Sequence, residues 1–227
     1  MSRNAIVTGA ASGIGASVAD LLRADGWTVA GIDLSDTADH VADVSDPVAV
    51  RAAIEEIRRE LGEIDALVSA AGHYDITPVS DVSASALHRM LRVHLGGLRN
   101  TARAVLPSML TRGSGAIVAI TSELAIGGGD GDAHYAAAKG AVIGLVRSLA
   151  AEVAGRGVRV NAVAPGPTDT PLLSDDSPWR SPDYLATLPN RRLTRPDEVA
   201  RIVAFLVEDG AAYCTGDVIS PNGGAVI

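Results

Sequence analysis

Short apolar runs alternate along this chain with longer segments in which apolar residues recur every three or four positions. The short runs predict buried strands, because strands covered on both faces are apolar throughout. The longer segments predict amphipathic helices. The strands are expected at 4–8, 27–33, 40–44, 64–71, 116–121, 158–164 and 217–220. This alternation predicts an α/β fold with a single doubly wound parallel sheet of about seven strands and helices on both faces.

The predicted helices begin with recognisable signals. Asp46 and Ser83 are typical N-caps, and Pro47 and Pro196 stand where proline is favoured, in the first helical turn. The helices are expected from the first strand's turn to about 25, then after 46, at 83–112, at 134–154 and from 196 onward.

No repeat, low-complexity segment or linker interrupts this pattern, so residues 1–227 are expected to form one domain. Gly96 and Gly97 fall inside the longest helix, where they permit a bend or close packing. The polar, proline-containing segment 172–192 is expected to be a loop that covers a site.

The composition narrows the classes of partner and the compartment. Apolar residues make up 47% of the chain and aromatic residues only 3%, so the core must be aliphatic. The net charge of −8, without a basic cluster, argues against nucleic acid or an anionic membrane as partner. The single cysteine, Cys214, excludes an internal disulfide and favours the cytoplasm. Neither a signal peptide nor a membrane-spanning run is expected.

A glycine-rich turn, TGAASGIG, joins the first strand to the first helix. Gly9 allows a tight turn, Gly13 leaves room for a pyrophosphate, and Gly15 lets the helix pack close to the sheet. The turn predicts a phosphate site, because the unpaired N–H groups and dipole of a helix N-terminus attract anions. The alternative is that the glycines serve only the geometry of the turn.

Asp33 ends the second strand, 18 residues after Gly15. A carboxylate at this place accepts hydrogen bonds from the ribose of an adenosine and repels a 2′-phosphate. No lysine or arginine lies in the glycine-rich turn or directly after Asp33. Both observations predict a preference for NAD(H) over NADP(H). The alternative is that Asp33 only begins the turn LSDTAD.

Tyr135 and Lys139 lie four residues apart on a predicted helix, and Ser122 follows the strand before it. Residues four apart share a helix face, which brings an ammonium beside a phenol. A nearby positive charge lowers the pKa of a phenol, which is otherwise about 10. Ser122 can hydrogen-bond a substrate oxygen, so the three predict proton transfer at an oxygen. The alternative is a surface tyrosine and a solvated lysine.

These residues together resemble the short-chain dehydrogenase/reductase family, in its simple single-domain branch, over almost the whole chain. The resemblance implies a Rossmann fold, hydride transfer between a nicotinamide and a substrate carbon, and the homotetramers that are usual in the family. The matching residues are the turn at 8–15, Asp33, Asp43–Val44, Ala70–Gly72, Ser122, Tyr135 with Lys139, Asn161–Gly166, Thr170 and 215–224.

The resemblance also implies a role for each matching residue. Tyr135 is the general acid/base, Lys139 lowers its pKa and binds the nicotinamide ribose, and Ser122 orients the substrate oxygen. Asp43 and Val44 lie at the adenine, and the residues after the sixth strand hold the carboxamide. The implied cofactor-binding residues are Gly9, Ser12, Gly13, Ile14, Gly15, Asp33, Asp43, Val44, Ala70, Ala71, Gly72, Tyr135, Lys139, Pro165, Gly166, Thr168 and Thr170.

One catalytic position departs from the family pattern. The family usually has an asparagine in the long helix, within Val-Asn-x-x-Gly, that holds a water in a proton relay with the lysine. Here the segment reads Val93-His94-Leu95-Gly96-Gly97. We expect His94 to keep a relay role, because an imidazole also binds water and titrates near neutrality. The alternative is a histidine without a catalytic part.

Other polar residues are expected to matter less. No metal site is expected, because the histidines lack the ligand spacing with acids or cysteine. His73 is expected in a surface loop, and Asp130 and Asp132 in a solvated turn.

The leading function is an NAD(H)-dependent oxidoreductase for a secondary alcohol or ketone as small-molecule substrate. The short connection after Asp33 and the segments AAG and PGPTDT resemble the corresponding segments of enzymes that oxidise dihydrodiols of cyclic acids. A reductase of 3-oxoacyl thioesters is the alternative, although the acidic stretch at 175–183 disfavours an acidic carrier protein. A dinucleotide-binding sensor without turnover is the alternative of another class. A sugar-nucleotide epimerase needs an added substrate domain for which the chain has no room.

Overall fold

The computed structural model describes residues 3–226, which form one sheet of seven parallel strands flanked by helices. The order across the sheet is β3-β2-β1-β4-β5-β6-β7. This confirms the predicted α/β fold and doubly wound sheet. The strands are β1 (Asn4–Thr8), β2 (Thr28–Asp33), β3 (His40–Val41), β4 (Ala66–Ser69), β5 (Gly115–Ile120), β6 (Val158–Val163) and β7 (Val218–Ile219).

The strand order reverses between β1 and β4. Thr8, the last residue of β1, pairs with Ile32 of β2 on one side and Ser69 of β4 on the other, so the strand ends lie level. Where the strand order reverses, the loops after the two neighbouring strands run in opposite directions. A crevice therefore opens at the carboxyl ends of these strands. The predicted site residues follow these strand ends.

Helices cover both faces of the sheet. α1 and α8 pack together on one face, and α2, α4 and α6 cover the other. The helices are α1 (Gly13–Ala24), α2 (Pro47–Leu61), α3 (Ala84–Leu91), α4 (Gly97–Arg112), α5 (Leu124–Gly127), α6 (Ala133–Val153), α7 (Pro182–Thr187) and α8 (Pro196–Val207). Within the described part of the chain, no helix is both long and apolar enough to cross a bilayer.

The core is aliphatic and divides according to the alternation of side chains along each strand. In β1, Ala5 and Val7 face α1 and α8, whereas Ile6 faces the opposite layer of helices. All three are fully buried. Burial of an aliphatic side chain of the size of Ile6 contributes about 1.5–3 kcal/mol to folding, so the central strands form a rigid support for the loops at their ends.

The long helix predicted at 83–112 contains an irregular turn in its middle. α3 runs into a π-helical turn at Arg92–Gly96, and α4 continues from there. A π turn adds a residue to one helical turn and redirects the side chains within it. The predicted close packing at Gly97 is confirmed, because a Cβ at this position would lie 2.9 Å from Val44 Cγ2.

The segment 172–192 is not only a loop, as the sequence analysis expected. It contains a 3-10 turn at Pro178–Arg180 and then α7, whose first turn is capped by Ser181 Oγ accepting from Tyr184 N at 3.2 Å. A second short helix, α5, was also missed. Helices of four to six residues carry too little periodic pattern to be seen, and contacts with the rest of the protein stabilise them.

Candidate active site

One large cavity, about 950 Å³ in volume, opens at the carboxyl ends of the strands. Every residue that the sequence analysis assigned to catalysis or cofactor binding lines this cavity. Several other residues that line the cavity had no predicted role, and these are Leu34, Tyr74, Asp75, Arg89, Arg92, Glu123, Leu124, Trp179 and Tyr184.

The glycine-rich turn needs its glycines for geometry. Gly9 has a φ of +71°, and a Cβ there would lie 2.8 Å from Ala71 N. A Cβ at Gly15 would overlap the carbonyl oxygen of Gly9. Ser12 is the N-cap of α1, but its side chain caps no backbone N–H. The first N–H groups of α1 therefore remain free to bind an anion in the cavity.

Asp33 joins the glycine-rich turn to the loop after β2. Its Oδ2 accepts from Ala11 N at 3.0 Å, and its Oδ1 accepts from Leu34 N at 2.7 Å and Ser35 N at 3.1 Å. Asp33 therefore does cap the turn that follows β2, as the alternative interpretation expected. A carboxylate has about four lone-pair sites, so Asp33 keeps capacity to accept from a ribose hydroxyl.

Two buried polar residues position the part of the cavity wall formed by Val44 and the turn after β4. Thr8 Oγ1 accepts from Ala70 N at 3.1 Å and Ala71 N at 3.2 Å, which fixes the turn after β4. Asn100 on α4 donates from Nδ2 to the carbonyl oxygen of Val44 at 3.0 Å. This contact explains why the strand predicted to reach Val44 ends at Val41: Val44 leaves the sheet and turns toward α4.

Ser122, Tyr135 and Lys139 come together at the inner end of the cavity, and each is at least nine-tenths buried. Lys139 Nζ lies 5.6 Å from the centre of the Tyr135 ring and donates to the carbonyl oxygen of Ile120 at 2.9 Å. Thr121 Oγ1 donates to the carbonyl oxygen of Lys139 at 2.8 Å. These two bonds attach α6 to the end of β5, so the hydroxyl, the phenol and the ammonium share one rigid frame.

Burial dominates the proton affinities of this group. Burial raises the pKa of Tyr135, and the Ser122 hydroxyl opposes the rise by favouring the phenolate. Burial lowers the pKa of Lys139 to about 7. The expected lowering of the Tyr135 pKa by Lys139 is therefore not seen, because desolvation is the largest effect and the charges of Asp132 and Glu123 add to the rise. At neutral pH the phenol is protonated, while the lysine is near its titration point.

His94 lies in the π-helical turn, buried between Tyr135 and His73. Its ring meets the edge of Tyr135 at 5.5 Å between centroids and stacks on His73 at 5.4 Å. His94 Nε2 lies 2.9 Å from the carbonyl oxygen of His73 and 3.4 Å from its backbone N. A carbonyl oxygen can only accept, so the shorter contact places the proton on Nε2, and Nδ1 has no partner within residues 3–226. A Cβ at Gly72 would overlap the His94 ring, so this glycine makes room for it.

The expectation that His94 titrates near neutrality is wrong. Burial is the largest cause that lowers its pKa well below the usual range, and the Lys139 charge adds to it. The imidazole is therefore neutral and offers Nδ1 as an acceptor. His73 does lie in a loop, as expected, but it is only partly exposed: its ring packs on His94, it lines the cavity, and burial lowers its pKa.

A hydrogen-bonded chain connects the segment before α7 to the cavity wall. Trp179 Nε1 donates to Tyr74 OH at 2.7 Å, and Tyr74 OH donates to Asp132 Oδ1 at 2.7 Å. Asp132 is fully buried, so the expectation of a solvated turn is wrong for it. The reason is its contact with Tyr74, which lies 58 residues away in the sequence. The chain holds the 172–187 segment over the cavity.

Among the described residues, no group of three or more histidine, cysteine, aspartate or glutamate side chains is arranged to hold a metal ion.

Comparison with known proteins identifies the family. A family model described as enoyl-(acyl carrier protein) reductase matches residues 9–226. The chain is 38% identical to cis-4-hydroxycyclohexanecarboxylate dehydrogenase of Sinomonas cyclohexanicum, over 98% of this chain and 96% of that protein. It is 37% identical to the 3-oxoacyl-[acyl-carrier-protein] reductase FabG of Escherichia coli (strain K12), over 97% and 96%. These matches extend over nearly the whole chain, which therefore belongs to the short-chain dehydrogenase/reductase family of oxidoreductases.

Proposed function

We propose that this protein is an NAD(H)-dependent oxidoreductase that interconverts a secondary alcohol and a ketone. One observation carries the proposal. A single cavity is lined both by Ser122, Tyr135 and Lys139 and by the glycine-rich turn with Asp33. The first set suits proton transfer at an oxygen, and the second suits a dinucleotide. Their meeting in one cavity is what hydride transfer to or from a carbon–oxygen bond requires.

The residues present fit NAD(H). The free N–H groups at the start of α1 would bind the pyrophosphate, and Asp33 would accept from the adenosine ribose. Asp43, Val44 and the residues 70–72 would lie along the adenosine, and the residues 165–170 would hold the carboxamide. When bound, the nicotinamide supplies the hydride chemistry. The role of the protein is to position the two reactants and to move a proton.

The protonated phenol of Tyr135 would give its proton to the carbonyl oxygen during reduction, and would take it back during oxidation. Ser122 would hydrogen-bond the same oxygen and fix its direction. Lys139, with a pKa lowered to about 7, would favour the phenolate when charged and pass protons at neutral pH.

The substrate we favour is a cyclic secondary alcohol, in line with the relative from Sinomonas cyclohexanicum whose name states a hydroxycyclohexanecarboxylate substrate. The second candidate is a 3-oxoacyl thioester, in line with the FabG relatives. We further propose that the protein is a homo-oligomer, with a tetramer as the family resemblance implies. Gly140 and Gly144 of α6 leave open space at their surface, which suits the approach of a second copy.

Incubation with NAD and a panel of cyclic and acyclic secondary alcohols tests the proposal. We expect reduced nicotinamide from at least one cyclic alcohol, measured by absorbance. If the protein binds NAD and forms no reduced nicotinamide from any alcohol, the sensor without turnover is the better account. If the protein oxidises no alcohol of the panel but reduces 3-oxoacyl thioesters with the reduced cofactor, the thioester replaces the cyclic alcohol as the proposed substrate.

Replacing His94 with asparagine is expected to change the height of the pH–rate profile severalfold but not its shape. The reason is that a neutral imidazole with a free Nδ1 acts as an acceptor for water and does not titrate near neutrality. Steady-state rates of the variant and the wild type across neutral pH check this. An ionisation near neutrality that disappears in the variant would contradict the neutral state, and identical profiles would remove His94 from the relay.

A further inference from the structure

Aromatic side chains are rare in this chain and are concentrated at the cavity. The chain contains four tyrosines, two tryptophans and one phenylalanine. Four of these seven residues line the cavity, and they are Tyr74, Tyr135, Trp179 and Tyr184. Tyr135 has the catalytic role in the proposed function, whereas the other three have no role in it. We call Tyr74, Trp179 and Tyr184 the aromatic wall.

The aromatic wall begins beside the catalytic phenol. The Tyr74 ring meets the Tyr135 ring edge-on, with 4.9 Å between their centroids. Trp179 Nε1 donates to Tyr74 OH at 2.7 Å, and the Trp179 ring meets the Tyr184 ring at 4.7 Å between centroids. All three residues of the wall are only partly buried and line the cavity, so a molecule bound in the cavity can contact them.

The turn that carries Trp179 is held from two sides. On one side, Tyr74 OH accepts from Trp179 and donates to Oδ1 of the fully buried Asp132 at 2.7 Å. On the other side, Arg180 Nη1 pairs with Asp169 Oδ1 at 2.7 Å, which ties the turn to the loop after β6. The indole is therefore positioned before a ligand binds, and a preorganised surface avoids part of the ordering cost of binding.

We propose that Trp179, held by Tyr74, determines substrate specificity: its ring packs on the apolar ring of a cyclic alcohol, so that the protein prefers a compact ring to an open chain with the same number of carbon atoms. The inference rests on the proposed function and names the side chain that selects between its two candidate substrates. Tyr135 must reach the substrate oxygen, which places the carbon atoms of the substrate beside the aromatic wall. A ring packs on this wall with little loss of internal freedom, whereas an open chain loses conformational entropy.

Two pairs of alcohols test the inference. They are cyclohexanol with 2-hexanol, and cis-4-hydroxycyclohexanecarboxylate with 5-hydroxyheptanoate. The members of a pair share the number of carbon atoms and the functional groups, and differ in ring closure. Values of kcat/KM are measured with NAD, using both enantiomers of each open-chain alcohol. We expect the ring alcohol to exceed the better enantiomer of its open-chain partner by at least about tenfold, a factor that apolar contacts in a pocket can supply.

The variant Trp179→Ala removes the indole and should lower the preference for the ring about tenfold. Tyr74→Phe removes only the hydroxyl that holds Trp179 and should lower the preference by a smaller factor. Phe205→Ala and Tyr213→Phe, which change exposed aromatic residues outside the cavity lining, are the matched controls and should leave the preference unchanged. A loss of folded protein lowers both values of a pair equally, so the ratio reports on specificity and not on stability.

The outcomes separate this inference from the proposed function. Equal kcat/KM for ring and open chain in both pairs, or an unchanged ratio in Trp179→Ala, would overturn the role of Trp179 and leave the oxidoreductase intact. Turnover of open-chain alcohols or 3-oxoacyl thioesters without turnover of either ring alcohol would overturn it as well. A ratio lowered in Trp179→Ala but unchanged in Tyr74→Phe would overturn the part given to Tyr74. No turnover of any alcohol or thioester would remove the proposed function and this inference together.

Discussion

Replacing Tyr135 with phenylalanine is expected to lower kcat by about 10³-fold, within the range that a general acid or base contributes. The substitution removes only the hydroxyl. The ring contacts with Tyr74 at 4.9 Å and with His94 at 5.5 Å between centroids can remain, so the fold and the cavity should persist. Steady-state rates in both directions check the loss, and NADH fluorescence titration checks that the cofactor still binds.

The matched control for Tyr135→Phe is Tyr213→Phe, since Tyr213 is fully exposed and outside the cavity lining. This variant should keep wild-type rates. Circular dichroism and thermal unfolding of both variants separate a loss of chemistry from a loss of folding. Wild-type turnover by a folded Tyr135→Phe protein would show that the phenol does not transfer the proton.

The second large effect is expected at the adenosine end of the cavity. Wild-type kcat/KM should favour NAD over NADP by about 100-fold, because like charges about 5 Å apart at an effective dielectric constant of about 20 repel by about 3 kcal/mol. Asp33→Asn should reduce this preference to below about tenfold. The asparagine oxygen can still accept from Leu34 and Ser35, so the turn after β2 is retained.

Asp36→Asn is the control for charge, because Asp36 is an exposed acid in the same loop. It should leave the preference unchanged. Saturation curves with both cofactors, for the wild type and the two variants, give the comparison. Equal or better kcat/KM with NADP in the wild type would contradict the role given to Asp33.

The sequence predicted the sheet well because its signals are local. Each central strand is a continuous apolar run, and Asp46, Ser83 and Pro196 mark helix starts through contacts within a few residues. The carboxyl end of β3 was predicted poorly. Val44 is apolar like a strand residue, but Gly97 and Asn100 draw it away from the sheet, and such contacts between distant segments leave no local pattern.

The candidate site was predicted to the extent that its residues form motifs. Every residue assigned to catalysis or cofactor binding lines the cavity, although the roles given to them stay predictions. Glu123, Tyr74 and Trp179 were missed because each resembles an ordinary surface or loop residue in sequence. The pKa values of Tyr135 and His94 were misjudged for a related reason: burial decides both, and burial depends on the whole fold.

The most direct test of the account follows the hydrogen itself. A cyclic secondary alcohol that the enzyme oxidises is labelled with deuterium at its carbinol carbon and incubated with NAD. Mass spectrometry of the nicotinamide product then locates the label. We predict that each reduced nicotinamide carries one deuterium, because the hydride passes directly from substrate to cofactor within one cavity. Reduced nicotinamide without deuterium, or label released to water, would contradict hydride transfer at this site.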